Sequence, residues 1–191
     1  MPSTGPSLAV SKLGDRAFEQ VEKVSAEFLA ISYGALVQQM LVDHGNSVEE
    51  VNDQLLVMGS RIGARLIEEY CVRSGAPPCK LYSQAAESVA LVGLKMFLNV
   101  AAEVEAVRDT ESNTYSITFA SNPLSLFVEL PEGIVAEKLW YSNILCGVVQ
   151  GALWQVGLHS EVRFVRDVLR GDATNEIEIR FNGRERETFK T

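Results

Sequence analysis

Cys79 is the side chain best placed for covalent chemistry in this chain. It follows Pro77 and Pro78 in a segment that predicts a loop, where a thiol is accessible. The thiolate is the reactive form of a cysteine, and the dipole of a helix that begins nearby would stabilise it. Spacing alone nevertheless favours an unreactive loop cysteine. The chain has three cysteines, and this odd number indicates free thiols in a reducing compartment.

The rest of the sequence shows no pattern typical of a catalytic or metal site. His44 and His159 are isolated, and structural or surface roles explain them best. There is no His-Glu-x-x-His, Cys-x-x-Cys, phosphate-binding glycine loop or nucleophile elbow. The adjacent glutamates at 49–50 and 68–69 point in different directions on a helix, so neither pair forms an acid–base dyad. The tripeptide Arg-Gly-Asp at 170–172 lies between predicted strands and is best explained as a turn.

Composition and charge limit the classes of function. The chain has 191 residues, of which 47% are hydrophobic, and a formal net charge of -8. This length suits one compact domain. The negative charge argues against a broad nucleic-acid interface and against binding anionic lipid by charge alone. The first residues show no basic stretch followed by an apolar run, so we expect no secretory signal and a cytoplasmic protein.

The most apolar stretch, residues 139–158, belongs either in a protein core or in a membrane. It has no charge between Lys138 and Glu161, and its length is about that of a membrane span. Against a span, it carries polar side chains and glycines: Ser142, Asn143, Gln150, Gln155, Gly147, Gly151 and Gly157. Predicted strands of a soluble sheet flank it. We therefore predict a buried core helix.

Hydrophobic residues three and four apart predict three earlier helices, at 15–43, 47–75 and 83–98. Ser47 and Glu50 form a capping-box pattern at the start of the second. Gly59 and Gly63 are four residues apart in that helix. They therefore predict a smooth patch where another backbone can approach.

A period of two predicts four strands, near residues 100–108, 114–120, 162–169 and 176–181. Residues 109–113 predict the hairpin loop between the first two. Helices, a hairpin, a helix and a second hairpin together indicate an α+β fold, with helices packed against an antiparallel sheet. We predict a flexible tail at 1–14, one domain at 15–181 and a second tail at 182–191.

Several short motifs occur in order along most of the chain. They read YGALV at 33–37, MG at 58–59, IGARLIE at 62–68, KMFL at 95–98, NPL at 122–124, FVELP at 127–131, YSNILCGV at 141–148, GAL at 151–153, FV at 164–165, GD at 171–172, EI at 176–177 and RF at 180–181. Together they resemble the small core subunits of the transport protein particle, the TRAPP vesicle-tethering complex, of the "blocked early in transport" type.

The resemblance implies helices on one side of a twisted antiparallel sheet, with an internal apolar channel. In similar subunits the channel holds a fatty acyl chain that is thioester-linked to a cysteine. Cys79 matches that cysteine by its distance from the Lys95-Met96-Phe97 motif, so it is the expected palmitoylation site. No other cofactor and no metal is implied. The expected channel-lining residues are Ile67, Val89, Val92, Gly93, Met96, Leu145 and Val148.

Two features of the sequence bear on this channel. Gly93, Gly147 and Gly151 either leave a tube open beside their helices or allow close helix packing, and both explanations stay open for different glycines. Similar subunits often have a basic residue just before the cysteine, whereas this chain has Pro78.

The resemblance further implies a non-catalytic subunit in ER-to-Golgi transport. It would pair with a related small subunit, or with a second copy, and associate peripherally with cis-Golgi and endoplasmic reticulum membranes. The assembled complex would act as a nucleotide-exchange factor for a Rab GTPase. The alternatives are a stand-alone module that binds or senses a fatty acid, and a thiol enzyme with Cys79 as nucleophile. The nearby sequence supplies no base for the enzyme.

Overall fold

The computed structural model describes residues 8–107 and 113–185. Helices and strands within these ranges are α1 (Leu8–Gln20), α2 (Ala26–Asp43), α3 (Val48–Ser74), α4 (Tyr82–Glu87), α5 (Leu94–Leu98), β1 (Ala102–Ala106), β2 (Asn113–Phe119), α6 (Ile134–Lys138), α7 (Asn143–Gln155), β3 (Leu158–Arg166) and β4 (Asn175–Arg184). A π-helical segment, Ser88–Gly93, joins α4 to α5 without a break.

The strands form one antiparallel sheet in the order β1-β2-β4-β3. Alternate residues of β4, among them Ile177 and Ile179, are buried beneath the helices. The opposite face of the sheet carries charged side chains, including an ion pair of 2.8 Å between Arg163 and Glu178. The helices therefore cover one side only, and the predicted α+β architecture is confirmed.

Helices α3 and α7 cross with their backbones in contact, because glycines occupy the crossing on both sides. A Cβ atom on Gly59 would lie 2.1 Å from the carbonyl oxygen of Ile144. A Cβ atom on Gly147 would lie 2.2 Å from that of Leu56. Gly63 and Gly151 repeat the arrangement one turn further along, with 2.0 and 2.1 Å. The smooth patch predicted on α3 is confirmed, and Gly147 and Gly151 serve helix packing.

Helix α7 is shorter than the predicted 139–158. Asn52 on α3 binds the segment before the helix, because its side chain accepts a hydrogen bond from the Trp140 amide at 2.9 Å and donates one to the Lys138 carbonyl at 3.1 Å. After the helix, Gly157 adopts a positive φ of 73° and β3 begins. In the two described ranges, no helix is long and apolar enough to cross a membrane.

The N-terminal boundary differs from the sequence prediction. Helix α1 begins at Leu8, so the tail prediction is wrong for residues 8–14; residues 1–7 lie outside the described ranges. Gly14 packs against the π-helical segment so closely that a Cβ atom on it would lie 2.1 Å from the carbonyl oxygen of Leu91. The predicted single helix at 15–43 is two helices, because the Ser25 hydroxyl accepts a hydrogen bond from the Phe28 amide and starts α2 anew.

The C-terminal boundary also differs. Strand β4 continues to Arg184, which pairs with Leu158, so residues 182–184 belong to the sheet and not to a tail. Residues 186–191 and most of the predicted hairpin loop at 109–113 lie outside the described ranges.

The predicted capping box at Ser47 is wrong. The Ser47 side chain makes no cap hydrogen bond, and the Glu50 carboxylate instead lies 2.8 Å from Nδ1 of His44. His44 therefore has a structural role at the surface.

The contact between α3 and α7 predicts a large effect of a small substitution. Gly147→Ala places a methyl group against the fixed backbone of α3, so we expect the free energy of unfolding to fall by about 1–3 kcal/mol. Urea denaturation measures this. Gly183→Ala is the matched control, because a Cβ atom there meets no other atom within 4 Å. Equal stability of Gly147→Ala and wild type would contradict the described crossing.

Candidate functional site

A cavity of about 1150 Å³ lies among α2, α3, the helical stretch 82–98 and α7, and it reaches the end of β4. Its walls are mainly apolar, as suits a hydrocarbon ligand. Residues from α3 and α7 form much of the wall: Ile62, Leu66, Ile67, Tyr70, Ile144, Leu145, Val148, Val149, Ala152 and Leu153.

Most residues that were predicted to line a channel are on this wall: Ile67, Val89, Gly93, Leu145 and Val148. Val92 and Met96 are not, and the prediction is wrong for these two. They are 0% and 1% exposed and lie in the protein interior. Val89, Gly93 and Phe97, spaced four apart, face the cavity, and Val92 and Met96 occupy a different face of the same helical stretch.

Gly93 leaves free space at the cavity wall, in contrast to the glycines of α7. A Cβ atom on Gly93 would have the Ser88 carbonyl oxygen as its nearest neighbour, at the ordinary contact distance of 3.6 Å. The two explanations left open by the sequence therefore divide between the glycines. Gly147 and Gly151 allow two backbones to meet, whereas Gly93 contributes to the cavity.

Cys79 lies on the cavity wall, as do Pro77 and Pro78 before it. Its side chain is partly buried, and its Sγ atom lies 3.4 Å from the hydroxyl oxygen of Ser88. The amides that follow it are occupied, because Oε1 of Gln84 accepts hydrogen bonds from the backbone of residues 80 and 81 at 2.8 and 3.2 Å. The hydrogen-bonding neighbour of the thiol is therefore the Ser88 hydroxyl, and the two amides that follow Cys79 are already bound to Gln84.

Arg184 brings a positive charge to the same place. Its guanidinium donates a hydrogen bond of 2.9 Å to the carbonyl oxygen of Cys79. Arg184 and Glu185 both lie on the cavity wall, and Glu185 also lies 3.4 Å from Nε2 of His159. Sequence reasoning missed Arg184 because 105 residues separate it from Cys79. The pairing of β4 with β3 places the two residues close together.

Tyr70 adds a second hydroxyl to the wall. Its phenolic oxygen is buried and makes no hydrogen bond of normal geometry to any residue in the described ranges. Burial raises the pKa of this phenol most, the Ser88 and Ser74 hydroxyls lower it, and the Cys79 and Cys71 thiols raise it. Tyr70 therefore remains protonated at neutral pH and is available as a donor beside Cys79.

The other two thiols differ sharply in their surroundings. Cys71 is exposed and lies on the cavity wall, whereas Cys146 is fully buried in α7. Burial raises the pKa of the Cys146 thiol, and the carboxylate of Asp167 raises it further. Burial also raises the pKa of Asp167, whose Oδ1 accepts a hydrogen bond from the Leu169 amide at 2.9 Å. Cys146 is therefore a core residue and not a nucleophile.

In the described ranges, neither a base bound to the Cys79 thiol nor a cluster of metal ligands is present at this site. Ser88 is the hydrogen-bonding neighbour of the Cys79 thiol, and a serine hydroxyl is too weak a base to deprotonate it. Among residues 8–107 and 113–185, no group of three or more histidine, cysteine, aspartate or glutamate side chains is arranged to hold a metal ion. The arrangement instead suits an apolar ligand that has one polar end near Cys79.

Comparison with known families gives a match over most of the chain. Residues 29–180 match the model of the family described as transport protein particle (TRAPP) component.

Individual relatives are also similar along nearly their whole lengths. The transport protein particle subunit bet3 of Schizosaccharomyces pombe is 42% identical over 172 residues, which is 90% of this chain and 92% of the relative. The trafficking protein particle complex subunit 3 of Dictyostelium discoideum is 44% identical over 168 residues, 88% of this chain and 89% of the relative. A crystal structure of the Naegleria fowleri trafficking protein particle complex subunit 3, covalently bound to palmitic acid, is 43% identical. It superposes with a TM-score of 0.81 and covers 87% of this chain and 100% of that structure.

Proposed function

Because this chain belongs to the family of transport protein particle (TRAPP) components, we propose that it is a non-catalytic core subunit of the TRAPP vesicle-tethering complex in ER-to-Golgi transport. The observation that carries the proposal furthest is the apolar cavity with Cys79 on its wall. In this role the protein associates peripherally with cis-Golgi and endoplasmic reticulum membranes from the cytoplasm.

The cavity holds a palmitoyl chain, thioester-linked to Cys79. The covalent palmitic acid in the Naegleria fowleri relative supports this assignment. Burial gains about 0.8 kcal/mol per CH2 group, so a chain of palmitoyl length contributes on the order of 10 kcal/mol. A guanidinium group from Arg184 lies at the Cys79 backbone, so this chain has a cation near the thiol although Pro78 precedes it.

Gly93→Leu tests the cavity assignment. The leucine side chain enters space that is free in the wild type, so we expect the variant to fold and to lose the bound acyl chain. Intact-mass spectrometry before and after hydroxylamine treatment measures this, since hydroxylamine cleaves a thioester.

Gly183→Leu provides the matched control, because the same substitution there points into open space. Cys79→Ser locates the attachment and should show no added mass. A Gly93→Leu protein that keeps a hydroxylamine-sensitive palmitate would refute the proposed path of the chain.

The outer face of α2 is the proposed surface for pairing with a related small subunit. Phe28 and Ile31 are 71% and 65% exposed, and Val42 lies further along the same helix with an exposure of 65%. The inner face of α2, which includes Tyr33 and Val37, is buried in the core. A helix that is apolar on both faces is stable in water when both are covered. This favours a subunit over a stand-alone fatty-acid-binding module, for which the cavity alone would suffice.

Phe28→Glu should prevent this pairing, because it places a charge in an apolar interface. We expect a loss of at least about 2 kcal/mol, or roughly 30-fold in affinity for the partner subunit. Co-purification followed by size-exclusion chromatography measures the complex. Val165→Glu on the exposed face of the sheet should leave pairing unchanged. Equal loss in both variants, or none in Phe28→Glu, would argue against the α2 surface.

In the assembled complex this subunit contributes to nucleotide exchange on a Rab GTPase. Exchange is shared across subunits, so the single chain should leave the rate of release of a fluorescent GDP analogue near its intrinsic value. The assembly with its partner subunits should accelerate release. A single chain as active as the assembly would show that the division of roles is wrong.

A further inference from the structure

Two hydroxyl groups lie near Cys79 in a cavity whose walls are otherwise mainly apolar. Ser88 lies 3.4 Å from the Cys79 sulfur, and Tyr70 lies on the same wall close to both. Tyr70 comes from α3 and Ser88 from the start of the π-helical segment, so two separate elements converge on one point. π-Helical turns occur frequently at functional sites.

The Tyr70 hydroxyl makes no hydrogen bond of normal geometry within the described part of the chain, although the Ser88 and Ser74 hydroxyls lie close to it. Its oxygen is buried, and no neighbouring side chain holds it in a well-formed hydrogen bond. The nearby Ser74 hydroxyl already accepts a hydrogen bond of 3.1 Å from the Ala76 amide. A buried polar group without a partner is destabilising, and a phenylalanine would fill the same space without that cost. This hydroxyl is therefore available to an acceptor on a ligand.

We propose that the hydroxyls of Tyr70 and Ser88 bind the carbonyl oxygen of the acyl group, and that they stabilise the oxyanion that forms when Cys79 takes this group from a long-chain acyl thioester. This rests on the proposed attachment of an acyl chain to Cys79. The carbonyl oxygen of a thioester is two bonds from its sulfur, so hydroxyls beside Sγ are within reach of it. The hydrocarbon tail then extends past Gly93, where the wall is open.

The reaction is a balanced thiol–thioester exchange. The Cys79 thiol releases its proton to water, and its sulfur attacks the carbonyl carbon of the donor thioester. The carbonyl oxygen gains the negative charge, which the two hydroxyls stabilise by donating hydrogen bonds. The bond between the carbon and the carrier sulfur then breaks. The carrier leaves as a thiolate and takes a proton from water, so no group is oxidised or reduced.

Tyr70→Phe and Ser88→Ala test these roles in the full-length protein. The purified protein is treated with hydroxylamine, freed of the reagent and incubated with palmitoyl-coenzyme A, and acylation is followed by intact-mass spectrometry. We expect the rate at saturating donor to fall on the order of 100-fold in Tyr70→Phe, as for loss of an oxyanion donor. Ser88→Ala should show a decrease in the same direction. The donor concentration for half-maximal rate should change little.

Tyr82→Phe is the matched control. Tyr82 lies in the neighbouring helix α4, but its ring stacks on Phe181 at 4.7 Å. The cavity wall does not include it, so we expect a wild-type rate. Thermal melts of all variants identify any loss of folding.

The outcomes separate this inference from the function on which it rests. If wild-type protein is acylated at Cys79 and both hydroxyl variants react at the wild-type rate, the roles of Tyr70 and Ser88 are refuted and the attachment site stands. If a variant changes only the half-saturating donor concentration, its hydroxyl contributes to donor binding and the oxyanion role is refuted. If wild-type protein gains no more mass than Cys79→Ser, both proposals are refuted.

Discussion

The contact between the backbones of α3 and α7 fixes the two helices that form much of the cavity wall against each other. Gly59, Gly63, Gly147 and Gly151 remove the side chains that would otherwise separate the two helices. With the helices in contact there, the larger residues on either side, such as Ile67 and Val148, turn toward the cavity. Two glycines on each helix thus bring the backbones together, and the cavity lies beside this contact.

The sequence predicts those parts of the structure that depend on local periodicity. The alternation in β4, the apolar character of α7 and the paired glycines of α3 are local patterns, and the structure shows their consequences directly. The start of helix α1 was missed because the prolines and serines of residues 2–7 were taken to indicate a tail as far as residue 14, although Val10 packs against the core. Val92 and Met96 were misassigned because the hydrophobic pattern of a helix does not distinguish a residue that faces the core from one that faces a cavity.

At the candidate site, only the residues with a signal in the nearby sequence were predicted. Cys79 and Gly93 were found from motifs and residue size. Arg184 was not predicted, because it lies 105 residues from Cys79 in the sequence and no local pattern indicates a hydrogen bond between them. Tyr70 and Ser88 were not predicted either. A hydroxyl among apolar residues is recognised as part of a site only from its burial and its hydrogen bonds, which the sequence does not show. The cavity therefore combines an apolar wall that composition predicts with a polar end that only three-dimensional packing shows.

The hydrogen bond between Arg184 and the Cys79 carbonyl has a consequence for the timing of the proposed lipid attachment during protein synthesis. Strand β4 lies between β2 and β3, so the sheet is split in two until β4 has left the ribosome. Until then the loop that carries Cys79 also lacks its Arg184 contact, and the cavity wall formed by residues 184–185 does not exist. A nascent chain can expose Cys79 long before it can shelter a hydrocarbon tail. The proposed acylation is therefore expected in the folded domain and not in the growing chain.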